Sequence, residues 1–145
     1  IEIENFAATN ESGVKVKLNI ANNTQSSSIL KLGKHSELYP EVKYIKEIDI
    51  ITDTINNIFE KKYNIRDFNF MNLDIQGAEL LALKGSDKIL NYIDAIYTEV
   101  NLDEIYVNCV KIDELDKYLE NFGFKRVLLE TPDSNLWGDA LYLKK

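Results

Sequence analysis

Apolar and polar residues alternate along much of the first third of the chain, and the period of two predicts strands. Residues 1–6 alternate from Ile1 through Ile3 to Phe6, and a turn-rich stretch, Ala7-Ala8-Thr9-Asn10-Glu11-Ser12-Gly13, follows. Residues 14–20, Val-Lys-Val-Lys-Leu-Asn-Ile, alternate strictly, which is the pattern of a strand with one wet face. Small polar residues, Asn22 to Ser28, make a loop, and residues 31–40 have no period at all. Alternation returns over residues 42–51. Beyond it the period changes. Thr52 or Asp53 caps a predicted helix whose apolar positions are Ile55, Ile58 and Phe59. Residues 68–74 form a buried-type strand that ends on Asp74, and residues 77–90 read as a helix through Leu80, Leu81, Leu83 and Ile89. A second buried-type strand, residues 95–100, carries Glu99 near its end. Residues 112–122 make an amphipathic helix closed by Gly123, and strands at 124–130 and 140–143 finish the chain. From Asp53 onward helices and strands alternate. That order predicts an α/β fold, a mostly parallel sheet covered by helices, with an antiparallel closing strand reached without a helix.

The chain has 145 residues, which fits one domain. With 45% hydrophobic and 28% charged residues it has enough apolar side chains for a core. Net charge is −7, so neither a nucleic-acid backbone nor an anionic membrane surface is an expected partner. One cysteine, Cys109, excludes an internal disulfide, and no Cys/His grouping has zinc spacing. With no bilayer-length apolar run and no signal peptide, a cytoplasmic location is expected. A chain that opens on Ile1 inside a strand is expected to belong to a longer polypeptide, whose other domains are then candidate partners.

The candidate chemistry lies where the strands end. In an open α/β sheet, ligands bind outside the carboxyl ends of the strands. Asp74 and Glu99 both sit there. Asp74 leads into Ile75-Gln76-Gly77-Ala78-Glu79, a strand-to-helix turn in which Gly77 allows close backbone approach and Glu79 suits the helix dipole. Such carboxylates can bind a divalent cation, take a proton from a hydroxyl, or face a cationic sulfonium. Each also has a plain structural use, as a helix cap or as first-turn charge. His35 is the only histidine, in a loop where a solvated side chain and a proton acceptor are both open readings.

The stretch from Phe70 to Ser86, reading FMNLDIQGAELLALKGS, closely resembles the FkbM-type methyltransferases. Their hallmark is a strand ending in Asp, then Val or Ile, Glu or Gln, Gly, any residue and Glu, followed by a leucine-rich turn and Leu-x-Gly. Ser26-Ser27-Ser28, Ile51-Thr52-Asp53-Thr54-Ile55, Tyr97-Thr98-Glu99-Val100 and Trp137-Gly138-Asp139-Ala140-Leu141-Tyr142 resemble other segments of that family, so the likeness runs along essentially the whole chain. It implies a Rossmann-like class I fold and an S-adenosylmethionine-dependent O-methyltransferase acting on a hydroxyl of a sugar or other small molecule. In that frame Ala7, Ala8, Asp74, Gln76 and Gly77 are the expected cofactor contacts, with Ala7 and Ala8 where the adenine ring lies. Asp74, Glu99 and His35 are the candidate proton acceptors. Asp74 and Glu99 are also the expected holders of a divalent cation such as magnesium. Glu79, Asn101 and Trp137 are expected acceptor contacts, with Tyr106 and Asp103 as further candidates.

One departure from the family pattern stands out. The six glycines fall at 13, 33, 77, 85, 123 and 138, and none forms the Gly-rich cofactor loop. The first strands and that loop are therefore expected to precede residue 1, making residues 1–145 the C-terminal portion of such a domain. The alternative is a non-catalytic, methyltransferase-like scaffold or interaction domain. A metal-using glycosyltransferase would normally show an Asp-x-Asp pair, which Asp74-Ile75-Gln76 is not.

Overall fold

The strictly alternating stretch folds as predicted into a strand, β2 (Lys15–Ala21), and its wet face carries Lys15 and Lys17, both paired with Asp49 across the sheet. The computed structural model describes residues 2–145 and contains, among them, seven strands and four α-helices. Besides β2 these are β1 (Ala7–Ala8), α1 (His35–Leu38), β3 (Tyr44–Asp53), α2 (Ile55–Lys62), β4 (Phe70–Leu73), α3 (Glu79–Lys84), β5 (Ala95–Asn101), α4 (Ile112–Glu120), β6 (Phe124–Glu130) and β7 (Trp137–Lys144). The chain is α/β with two mixed sheets, ordered β1-β3-β2 and β4-β5-β7-β6.

Pairing departs from the mostly parallel expectation. Only β1–β3 and β4–β5 run parallel, while β2–β3, β5–β7 and β6–β7 are antiparallel. The reason is in the connections. A parallel pair needs a crossover of a dozen or more residues, usually a helix. Between β2 and β3 the only α-helix is the four-residue α1, and between β6 and β7 there is only a turn.

The strand predicted over residues 1–6 shrinks to Ala7–Ala8, registered against Thr52 and Asp53; Glu2 to Asn5 are not in a strand, and Ile1 lies outside the described residues. The helix predicted over 77–90 stops at Lys84. Gly85 and the Ser86 hydroxyl, which donates to the Ala82 carbonyl, end it, and a separate turn at Ile89–Asn91 carries the remaining apolar residues inward. The cap of α2 is Thr54, whose hydroxyl accepts from the Asn57 amide at 3.1 Å, one residue past the predicted positions.

The core lies between the four-stranded sheet and its covering helices: Leu80 and Leu83 of α3 and Leu115 and Leu119 of α4 pack with Ile96, Val100, Ala140 and Tyr142. Contacts at Gly85 tie this unit to the other sheet. Its carbonyl accepts from the Asn56 amide at the start of α2, and a Cβ there would stand 2.1 Å from the Thr9 carbonyl oxygen, which follows β1. Both neighbours are backbone and cannot turn away. Gly85→Ala is therefore expected to cost about 1–3 kcal/mol, read as a lower urea midpoint at unchanged slope.

Candidate functional site

The ends of β1, β4 and β5 open onto one cleft of about 790 Å³, whose walls include Ala7, Ala8, Ser28, His35, Asp74, Gln76, Glu99, Tyr106, Trp137 and Asp139. That size suits a small-molecule site. Its floor is the turn after β4. Gln76 has φ +55, a left-handed value uncommon for a residue with a Cβ, and Gly77 follows at φ +96. The Glu79 carboxylate holds this backbone in place: Oε1 accepts from the Ile75 and Gly77 amides, each at 3.1 Å. A Cβ on Gly77 would come within 2.9 Å of the Tyr106 ring, so the glycine serves both the turn and the packing of Tyr106.

Gln76 is the hub. Its Nε2 donates to Asp74 Oδ1 at 2.5 Å and to Glu99 Oε2 at 3.0 Å, its Oε1 accepts from the Tyr106 hydroxyl, and its carbonyl accepts from the Ser28 hydroxyl at 2.7 Å. A strained residue with every side-chain hydrogen bond satisfied marks a position the surroundings over-determine, as functional sites often do. Electrostatics point the same way. Burial, then the charges of Glu79 and Asp74, push Glu99 up to about 8. Burial pushes Glu79 up to about 7 against the pull of its backbone amides. His35 is 6% exposed, its rings 5.0 Å from Tyr39 and 5.5 Å from Tyr106, and burial lowers its pKa. Among the described residues its Nδ1 has no hydrogen-bond partner. A perturbed acid on a cleft, here Glu99 with Glu79 buried in the turn beneath it, marks a candidate active site.

The model of the Methyltransferase FkbM domain matches residues 3–126. The chain belongs to the FkbM methyltransferase domain family. None of the curated proteins and none of the solved structures shows a match to it.

In this FkbM domain the expected site residues divide into two groups. Ala7, Ala8, His35, Asp74, Gln76, Glu99 and Trp137 come together on the cleft, and Trp137 Nε1 donates to the Tyr39 hydroxyl at 3.3 Å. Gly77, Glu79 and Asn101 do not line it. Glu79 is 1% exposed with its carboxylate spent on the turn, and Asn101 is 2% exposed beside the bridge to Lys111, so neither reaches an acceptor in the cleft. Asp103 is also elsewhere, held by Lys34 and Lys111. The cation expected at Asp74 and Glu99 does not fit either. The Gln76 amide occupies the position between the two carboxylates, and among the described residues no group of three or more His, Cys, Asp or Glu is placed to hold a metal ion. Cys109 is half-buried, with its thiol pKa raised by that burial, as packing alone requires.

Sequence reasoning missed Tyr39, Glu41 and Asp139, all in the cleft wall. Tyr39 follows the short α1 in a stretch with no period, and Asp139 lies in β7 just ahead of the strand that the pattern predicts over residues 140–143. The signal for Asp139 was its alternation with Trp137 and Leu141, which places all three on one face.

Proposed function

We propose that the cleft binds S-adenosylmethionine and that the chain takes part in methylating a hydroxyl of a small-molecule acceptor such as a sugar, in a cytoplasmic setting. In this reading residues 1–145 are the C-terminal portion of a Rossmann-like methyltransferase domain. The observation that carries it is the Asp74–Gln76–Glu99 group: two carboxylates on the cleft, joined by one amide and paired with no Lys or Arg among the described residues. Such a donor set fits a sulfonium, and the small side chains of Ala7 and Ala8 leave room beside them for a flat ring. Bound S-adenosylmethionine supplies an electrophilic methyl group.

The chain's own residues do the rest. Asp74, exposed at the end of β4, and Gln76 hold the cationic part of the cofactor, and Ala7 and Ala8 flank its base. Glu99, in its ionised form, would accept the proton of the acceptor hydroxyl, whose oxygen would take the methyl group that the bound cofactor supplies. A base whose pKa lies near the working pH suits that role. Alignment of the two partners in a walled cleft supplies much of the remaining acceleration.

Calorimetric titration with S-adenosylhomocysteine tests this reading. Asp74→Ala is expected to weaken binding about 10- to 100-fold, the equivalent of one charged hydrogen bond. A folded protein that binds no S-adenosylhomocysteine would leave a methyltransferase-like scaffold instead.

A further inference from the structure

Tyr106 is buried, and its one side-chain polar atom is spent on the turn after β4. The ring fills the space over Gly77, where a Cβ would come within 2.9 Å of it, and lies 5.5 Å from the His35 ring. The backbone on either side is pinned. The Ile105 carbonyl accepts from the Gly33 amide at 2.9 Å and the His35 amide at 3.1 Å. The Val107 amide donates to the Lys31 carbonyl at 2.9 Å. With the ring and both flanks fixed, the hydroxyl has one place to stand, and there it donates to Gln76 Oε1. Packing asks only for the ring, which a phenylalanine would supply as well.

What the hydroxyl decides is which way the Gln76 amide faces. The two ends of a glutamine amide are nearly equal in size, so hydrogen-bond partners alone choose between them. Nε2 faces Asp74 and Glu99, and Oε1 faces Tyr106. Among the described residues no other group donates to the Glu99 carboxylate, and none but Tyr106 donates to Gln76 Oε1.

The carboxylates by themselves hold this orientation only while Glu99 is charged. A protonated Glu99 carries an O–H, and an amide turned over would offer Oε1 to it. Asp74 would lose its hydrogen bond from Nε2, but it is exposed and water replaces the donor. Glu99 has no such recourse. It is buried among acids, with Asp74 at the end of β4, Glu79 on α3 and Asp139 on β7, and the cleft wall has neither lysine nor arginine. A turned amide would therefore seal it as a neutral acid. The Tyr106 hydroxyl opposes the rotation, because its proton would then meet Nε2 and lose its only acceptor among the described residues.

We propose that Tyr106 is a positioning residue, whose hydroxyl keeps the donor end of the Gln76 amide on Glu99 and so presents Glu99 as a carboxylate ready to take a proton. This role rests on the methyl-transfer reading above and acts through Gln76 rather than on the acceptor. No bond is made or broken at Tyr106.

The test follows the Glu99 carboxyl carbon by NMR through a pH titration of the ¹³C-labelled protein. Tyr106→Phe keeps the ring and removes only the hydroxyl. It is expected to raise the Glu99 midpoint by about one pH unit, the worth of one hydrogen bond to a charged group. Gln76→Met removes the amide and is expected to raise the midpoint at least as far. In that background Tyr106→Phe should move it no further, since the hydroxyl acts through the amide. A hydroxyl that serves packing alone would leave the midpoint where it was. A second readout needs no variant to fold: in the unsubstituted protein the Tyr106 hydroxyl proton should stay protected from solvent exchange on both sides of the Glu99 midpoint. A midpoint unmoved by Tyr106→Phe, a shift that persists in full without the Gln76 amide, or a hydroxyl proton that exchanges freely once Glu99 is protonated would each overturn the proposal. S-adenosylhomocysteine, titrated in parallel, separates the two readings. A midpoint that depends on Tyr106 in a protein that binds no nucleoside removes methyl transfer and keeps the orienting role. Nucleoside binding with an unmoved midpoint does the reverse.

Discussion

S-adenosylmethionine is expected to gain affinity over S-adenosylhomocysteine as the pH rises through about 8, by about 10-fold or more between the acid and alkaline limits. The two ligands differ in one positive charge on sulfur, so their ratio isolates the electrostatics. Glu99 stands at about 8 in the free protein because burial and the Glu79 and Asp74 charges disfavour its ionised form. A cation placed within about 4–6 Å of a carboxylate lowers its pKa by about 1–3. Binding of the sulfonium below pH 8 must therefore expel the Glu99 proton, which costs affinity, whereas above pH 8 the carboxylate is already charged. Calorimetry in two buffers of different ionisation enthalpy would count the released proton directly. Glu99→Gln keeps an oxygen and a similar shape but cannot ionise, so it is expected to flatten the pH dependence and abolish the proton release. With a turned-over acceptor, the same substitution is expected to lower the rate by about 10²–10⁴-fold, the usual contribution of a positioned base. A pH-independent ratio in the unsubstituted protein would move the sulfonium away from Glu99 and leave Asp74 to hold it.

Much of this site is local in sequence, and that part was legible. Asp74, Gln76, Gly77 and Glu79 fall within six residues at a strand-to-helix junction, where a buried strand, a glycine and a first-turn acid each leave a sequence signal. What the sequence could not assign was the division of labour. Glu79 and Asp74 are equivalent as letters, yet the positive φ of Gln76 and Gly77 turns two amides toward Glu79 and buries it, while Asp74 is left on the cleft. His35 was visible as a lone loop histidine, but its burial depends on Tyr106, 71 positions later, and on the Gly33 and His35 amides both donating to the Ile105 carbonyl. Long-range pairing of this kind has no local period. The plainest instance is Asp139: only the register of β7 between β5 and β6 sets it opposite Glu99 on one side and Glu130 on the other. The sheet direction failed for the same reason, since a period of two identifies a strand but not its partner.

Stability should rise, not fall, as the pH is lowered from about 8 toward 5. Acid usually weakens a fold because paired carboxylates must take up protons, but here the two most buried acids are already displaced upward. Glu79 lies at about 7 and Glu99 at about 8 in the folded chain, against 4.5 for an ordinary glutamate. Below 4.5 both are neutral in either state and their contribution to stability is fully present. Between 4.5 and their folded values the unfolded chain has lost the proton that the native chain keeps, so stability drains away as pH rises through 7 and 8. At about 1.4 kcal/mol for each pH unit between the two values, Glu79 alone accounts for on the order of 3 kcal/mol. Asp139, also displaced upward by burial and its neighbours, adds in the same sense. His35 opposes them: burial lowers its pKa, so below 6.5 the unfolded chain takes a proton there that the native chain resists. The half-buried carboxyl of Asp103, held at about 2 by Lys34, loses its contribution only as pH falls below 3.8, outside this window. Three groups against one leave a net gain on acidification to about pH 5. Thermal unfolding followed by circular dichroism across that range would measure it. Glu79→Gln retains an oxygen for the Ile75 and Gly77 amides without a charge to bury, so it should be more stable than the parent at pH 8, match it near pH 5, and flatten the slope between. A parent whose midpoint falls steadily on acidification from pH 8 would show that Glu79 is ionised in the folded chain, and that the turn beneath the cleft is held by a full negative charge rather than by a neutral carboxyl.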